Sequence, residues 1–259
     1  MLLAADRGGA GPSLLLLLHG LGATRQVWIP LEEELRGRWS GRWLAPDLPG
    51  HGRSGILPDY ALGLQAGAIA ELLRGEAPFD RLFVVGHSLG AALALTLGSG
   101  LFGVRPACVL GLGLKSVWSE ADLDGLARRA VAPTKVFPSE REGREAYLRA
   151  SGLEGLVAPD SAIAAGGVCM FDGGWRLATI PRAYSVGAPP MATLCAAAAA
   201  PFSFACGEND PLVQLPQLTA WDPRAVGLTG LGHNAMVEGP TAVWNWIAKA
   251  IESDHDPAA

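Results

Sequence analysis

Gly86-His87-Ser88-Leu89-Gly90 stands between two segments of opposite character. Ahead of it runs Arg81-Leu82-Phe83-Val84-Val85, an apolar, β-branched stretch that reads as a buried strand. Behind it runs Ala91 to Leu97, composed of residues that favour helix. A serine between two glycines on a sharp strand-to-helix turn is a nucleophile elbow. The turn holds the serine in a strained backbone conformation, and residues without a Cβ are needed close on either side. The hydroxyl then stands free at the end of the strand. The next backbone N–H and the helix N-terminus point at the same spot, which suits an acyl-transfer nucleophile.

Composition sets the frame for that reading. The 259 residues suit one large domain or a domain with an insertion. Apolar residues make up 49% and charged residues 17%, with a mean hydropathy of +0.25, so the chain is expected to bury much of itself. A net charge of −5 and the lack of a Lys/Arg run argue against a nucleic-acid partner. The four cysteines (Cys108, Cys169, Cys195, Cys206) are far apart and form neither C-x-x-C pairs nor Cys/His clusters. They read as reduced thiols, and neither metal nor cofactor is expected. Leu14 to Leu18 is a run of five leucines, preceded by a lone basic residue, Arg7, and cut off by His19-Gly20. It is too short for a signal core or a membrane span, so it is expected to be a buried strand of a cytoplasmic protein without a membrane partner.

Strand and helix patterns alternate through the first part of the chain. Leu14–Leu18 predicts a strand, Val27–Arg36 a helix, Trp43–Ala45 a short strand and Leu62–Arg74 a helix. Leu82–Val85 and Cys108–Leu112 are further strands on either side of the Ala91–Leu97 helix. Such βα alternation indicates a parallel sheet covered on both faces, with ligands bound beyond the carboxyl ends of its strands. The rhythm breaks after Gly113. From Lys115 to Pro190 come short helical patterns, Glu120–Ala132 and Glu140–Ala150 among them, without a clear strand run. It returns with a helix over Thr193–Ala200, strands over Phe202–Cys206 and Ala225–Leu228, and a helix from Pro240 to Ile251, after which the tail is expected to fray. The predicted organisation is a core of residues 1–114 and 191–259 with a helical cap inserted at 115–190.

The partners of Ser88 follow from position. His19-Gly20-Leu21-Gly22 succeeds the first strong strand, so its loop lies at the same strand ends as Ser88. The Leu21 and Leu89 amides are the expected oxyanion donors. Gly20-Leu21-Gly22 also begins a dinucleotide-binding pattern, but Arg25 stands where the third glycine would be. Of five histidines, His19 and His51 sit in Gly-rich loops, His87 is beside the nucleophile with its side chain expected to point elsewhere, and His255 is in the tail. His233 remains, in a Gly-rich loop between the last strand and the last helix, as the expected general base. The acid should fall between serine and histidine in chain order. Asp210, in Gly207-Glu208-Asn209-Asp210, is the choice. Glu208 is its nearest competitor, Asp222 falls on an expected surface helix or turn, and Glu120 or Asp122 would require an acid shifted to the end of the earlier strand.

Five blocks, His19–Gly22, Asp47-Leu48-Pro49-Gly50-His51-Gly52-Arg53-Ser54, Gly86–Gly90, Gly207–Asp210 and Gly232-His233, resemble the α/β-hydrolase family in order and spacing, from about Leu14 to Ile251. The resemblance implies an α/β-hydrolase fold with an eight-stranded, mostly parallel sheet and a Ser88–His233–Asp210 triad. It also implies a structural role for the Asp47–Ser54 block, with Asp47 and Arg53 tying down its turn. A serine nucleophile, rather than aspartate, argues against the haloalkane dehalogenase and epoxide hydrolase branches.

Residues 115–190 hold nine Lys/Arg and nine Asp/Glu, so no net field selects a charged substrate. Lys115, where the insertion begins near the strand ends, is a candidate substrate contact, with a lysine that snorkels at the surface as the expected reading. The expected activity is hydrolysis of a small, largely apolar carboxylic ester through an acyl-enzyme at Ser88. C–C bond hydrolysis, lactonase, thioesterase and perhydrolase chemistry use the same triad. A non-catalytic ligand-binding protein is the competing class.

Overall fold

The computed structural model describes residues 2–253. Seven strands form one sheet: β1 (Ala5–Gly9), β2 (Ser13–Leu18), β3 (Arg42–Pro46), β4 (Arg81–His87), β5 (Cys108–Leu112), β8 (Phe202–Gly207) and β9 (Val226–Leu228), in the order β1-β3-β2-β4-β5-β8-β9. Two further strands, β6 (Val168–Phe171) and β7 (Gly174–Leu177), pair apart from it as a hairpin. Every pairing in the large sheet is parallel except β1 with β3. The helices are α1 (Ile29–Leu35), α2 (Leu62–Arg74), α3 (Leu89–Leu97), α4 (Glu120–Val131), α5 (Glu140–Ala150), α6 (Ala162–Gly166), α7 (Met191–Ala197), α8 (Leu215–Thr219), α9 (Ala235–Glu238) and α10 (Pro240–Ser253).

The five-leucine run shows why both faces of the sheet are covered. Successive side chains on a strand point to opposite faces. Leu14, Leu16 and Leu18 enter a core built with α2, α3 and α7, while Leu15 and Leu17 enter one built with α1 and α10. All five are buried. A strand apolar at every position is what a parallel sheet between two helical layers requires.

Two expectations need correction. The sheet has seven strands among the described residues, not eight. It ends at β1, whose Ala5-Asp6-Arg7-Gly8-Gly9 sequence lacks an apolar face and was not anticipated as a strand. Arg7 turns back to donate to the Ala5 carbonyl at 3.1 Å, and a charged, glycine-rich edge of this kind discourages a further strand. The segment between β5 and β8 is also not purely helical, because it contains the β6–β7 hairpin. Asp172-Gly173 forms its turn, with φ of +47° and +73°, the pair of left-handed residues that a two-residue hairpin loop demands. Of the tail expected to fray after Glu252, Ser253 ends α10, and the rest, His255 included, lies outside the described residues.

Candidate active site

Ser88 sits between β4 and α3 with φ +52° and ψ −112°, left-handed backbone that a non-glycine residue adopts at a cost. The structure over-determines it. The Ser88 amide donates to the Leu112 carbonyl of neighbouring β5 at 2.8 Å. A Cβ at Gly86 would strike the Gly90 carbonyl, and one at Gly90 would strike the Leu18 carbonyl. Both glycines are required by close packing of the turn against itself and against β2.

Asp210 follows β8 and is buried, whereas Glu208 and Asn209 are exposed. Its Oδ1 accepts from the amides of Leu212 at 2.8 Å and Val213 at 3.1 Å. Its Oδ2 accepts from Nδ1 of His233 at 2.8 Å. This bond places the imidazole proton on Nδ1 and leaves Nε2 as the acceptor. The competing acids are engaged elsewhere. Glu208 accepts from the Thr229 hydroxyl at 3.2 Å. Asp222 is buried, against expectation, because it accepts the Phe204 amide at 3.2 Å and pairs with Arg224 at 3.3 Å. Asp122 caps α4 through Ser119 and lies 2.7 Å from Lys115 Nζ, which with Ser119 holds its carboxyl down to about 2. Lys115 lines the site and stacks on Trp118 at 4.8 Å, so it does not simply snorkel.

His233 is held by its backbone. The Glu238 carboxylate accepts the amides on either side of it, Gly232 at 2.6 Å and Asn234 at 3.1 Å. The His233 carbonyl accepts from Nε2 of His87 at 2.9 Å. His87 therefore does not point away from the site. Its ring lies 4.7 Å from that of His233, and burial holds it neutral, well below the usual histidine range. Asn234 Nδ2 donates to the Ser151 and Gly152 carbonyls at 3.2 and 3.1 Å, tying this loop to the inserted segment. No sequence rule singles out Glu238, Asn234 or His87: Asn234 and His87 act through tertiary contacts, and Glu238 through amides four and six residues back in an irregular loop.

The loop bearing Leu21 is fixed by two more imidazoles. His19 Nε2 accepts the Leu48 amide at 2.9 Å and its Nδ1 donates to the Gly20 carbonyl at 2.8 Å. His51 Nε2 accepts the Gly22 amide at 3.2 Å and its Nδ1 donates to the Pro49 carbonyl at 2.9 Å. Burial pushes them down to about 4 and about 3. Asp47 does brace its turn, but through Arg25, whose guanidinium and amide it accepts, and through the backbone N–H of Arg53 rather than its side chain. Arg25, the residue that breaks the dinucleotide pattern, is a structural ion-pair partner.

These elements enclose a cavity of about 630 Å³. Ser88, His233, Leu21 and Leu89 line one side, and residues of the inserted segment, including Trp118, Leu126 and Tyr184, line the other. Among the described residues neither the Leu21 nor the Leu89 amide donates a hydrogen bond, and Ser88 Oγ makes none to His233. The same residues offer no cluster fit to hold a metal ion and no helix long and apolar enough to cross a membrane.

A model of the alpha/beta hydrolase family matches residues 15–246. The chain belongs to that family. This alpha/beta hydrolase is 32% identical over 147 residues to lipase LipV of Mycobacterium tuberculosis, a match covering 54% of this chain and 52% of LipV. It is 36% identical over 88 residues to the uncharacterized protein Rv2715 of the same organism, covering 34% of this chain and 25% of that one. The matches thus span a quarter to about half of these curated relatives. Among solved structures, E-2-(acetamidomethylene)succinate hydrolase superposes with a TM-score of 0.79 at 26% identity, over 96% of this chain and 95% of the other.

Proposed function

We propose that this alpha/beta hydrolase is a serine hydrolase of small, largely apolar carboxylic esters, working through an acyl-enzyme at Ser88. The 2.8 Å bond from His233 Nδ1 to buried Asp210 carries the reading, because it leaves Nε2 as the free acceptor in a cavity that the strained Ser88 also lines. In this mechanism Ser88 Oγ attacks the ester carbonyl while its proton passes to His233 Nε2, and the uncommitted Leu21 and Leu89 amides receive the oxyanion. Collapse breaks the C–O bond, and the imidazolium protonates the departing alkoxide. Water then adds to the acyl-enzyme with its proton going to His233, and the carboxylic acid leaves as Ser88 recovers its proton. Asp210 stabilises the imidazolium in both halves. Residues 115–190 serve as a cap that encloses the substrate, and no cofactor takes part.

The test uses nitrophenyl esters of graded acyl length and a serine-reactive phosphonate on the wild type and Ser88→Ala. We expect turnover and labelling in the wild type, and loss of both in the variant. Turnover that survives Ser88→Ala would overturn the mechanism, and a wild type inert to both reagents would favour a ligand-binding role. Thioesters, lactones and vinylogous 1,5-diketones in the same panel report which acyl group is preferred.

A further inference from the structure

Charges are balanced along the inserted segment, but not where it faces the cavity. Three of its cations, Lys115, Arg129 and Arg149, line that space. Lys115 is paired with Asp122 at 2.7 Å, and Arg149 stands 3.7 Å from Glu154. Glu238, the other lining carboxylate, is occupied by the Gly232 and Asn234 amides. Arg129 differs, since among the described residues no carboxylate pairs with it. Its guanidinium lies over the Tyr184 ring, 5.5 Å from the centre. The Tyr184 ring and hydroxyl together orient the planar group, and the fork of five N–H donors still has room for a carboxylate.

The position of Arg129 gives that edge a meaning. The cavity-lining residues of α4 are Ala121, Asp122, Gly125, Leu126 and Arg129, which fall on one helical face. The face runs about 10 Å at 1.5 Å per residue from Asp122 to Arg129. The near end carries a neutralised ion pair, the middle is apolar, and the far end carries an uncompensated cation. The Tyr184 hydroxyl stands 2.9 Å from where a Cβ on Gly22 would be, which sets the Arg129 stack beside the loop bearing the Leu21 amide.

We propose that the site takes esters whose scissile carbonyl is joined through a short apolar chain to a free carboxylate, and that Arg129 is the specificity-determining residue that receives this carboxylate. The proposal rests on the hydrolase reading above and narrows its substrate class to half-esters of dicarboxylic acids. The carboxylate takes the guanidinium N–H groups that no protein carboxylate occupies among the described residues, and the apolar chain lies along the Ala121–Leu126 stretch.

The experiment compares the monoethyl ester of a six-carbon dicarboxylic acid with ethyl hexanoate, a neutral ester of equal acyl length. The readout is the ratio of their kcat/KM values in the wild type, Arg129→Gln, Arg129→Lys and the exposed neighbour Arg128→Gln. We expect the wild type to favour the half-ester by about tenfold or more. Arg129→Gln should remove that preference through KM, Arg129→Lys should restore part of it, and Arg128→Gln should retain it. Because each protein is its own reference, partial misfolding leaves the ratio intact. A wild-type ratio at or below one, or a ratio unchanged in Arg129→Gln, overturns the proposal while leaving the hydrolase reading standing. If neither ester is turned over, that reading fails separately, and calorimetric binding of the half-ester to Ser88→Ala with and without Arg129→Gln decides the role of Arg129. Equal affinity in the two proteins overturns it.

Discussion

The two sides of the cavity are built on different principles. The side formed by strand ends is polar in its support and close-packed. Ser88 is pinned by β5 and by two glycines with no room for a methyl, His233 is bonded on both flanking amides and its carbonyl, and the Leu21 loop is stitched by two buried imidazoles. The side formed by the inserted segment offers apolar and aromatic groups set among the charges of Lys115, Asp122, Arg129 and Arg149, and Asn234 ties it to the His233 loop. In the proposed mechanism, one side fixes where charge develops, and the other shapes what is held there. Substitutions on the first should therefore act on kcat and folding, and those on the second on KM and selectivity.

The sharpest way to break this contrast is at Asp210. Asp210→Asn removes the acceptor that sets the His233 tautomer, and kcat on a nitrophenyl ester should fall by about four orders of magnitude. Glu208→Gln, two residues away and exposed, should stay within about twofold of the wild type. Comparable losses in both would mean that the Asp210 bond is not what sets the base.

The stitched loops predict an acid weakness. His19 and His51 are neutral in the folded protein but bind protons in the unfolded chain below about 6.5. Their contribution to stability is complete above that pH and is lost as pH falls toward about 4 and about 3. Glu32, pushed up to about 7 by burial, acts oppositely between 4.5 and 7 and is common to both proteins compared. His51→Gln should be less stable at pH 7 yet lose about 3 kcal/mol less than the wild type between pH 6.5 and 4, as read from urea unfolding. Parallel pH profiles for the two proteins would rule out His51 as a source of the slope.

The smallest effect is expected at the tie between the two sides. Asn234→Ala deletes two hydrogen bonds to the Ser151 and Gly152 carbonyls, each worth about 1 kcal/mol net. The outcome to measure is a rise in KM of less than about tenfold with kcat nearly unchanged, together with a Tm a few degrees lower. A collapse of kcat would show that the inserted segment helps to set the base itself, and the contrast would need redrawing.

Legibility in the sequence follows the same division. Leu14–Leu18 and the Gly86–Gly90 turn were readable because burial on two faces and a forced backbone leave local signatures. Asp210 and His233 were reachable from chain order and loop position, and the structure joins them. Strand β1 was missed because an edge strand of Asp, Arg and Gly carries no apolar alternation. The hairpin was missed although Asp172-Gly173 is a strong turn signal, since Val168–Phe171 does not alternate. Asp222 and His87 acquire their roles from residues 18 and 146 positions away, at separations no local pattern records, while Glu238 bonds amides four and six residues back in an irregular loop that has no sequence signature. The unpaired state of Arg129 is hidden for the same reason, because counting charges along a segment does not say which of them meet.

The hydrogen bond from His87 to the His233 carbonyl has a consequence for how this scaffold tolerates change. His87 is covalently adjacent to Ser88, yet 146 residues from the loop it grips. One imidazole thereby links the turn of Ser88 to the loop of His233 across the long path of chain between them, beside the Asp210 and Glu238 bonds that also hold that loop. Replacing the segment from Lys115 to Pro190 would leave that contact in place, but would remove the Ser151 and Gly152 carbonyls that Asn234 bonds and the Tyr147, Leu148 and Leu153 side chains from the core.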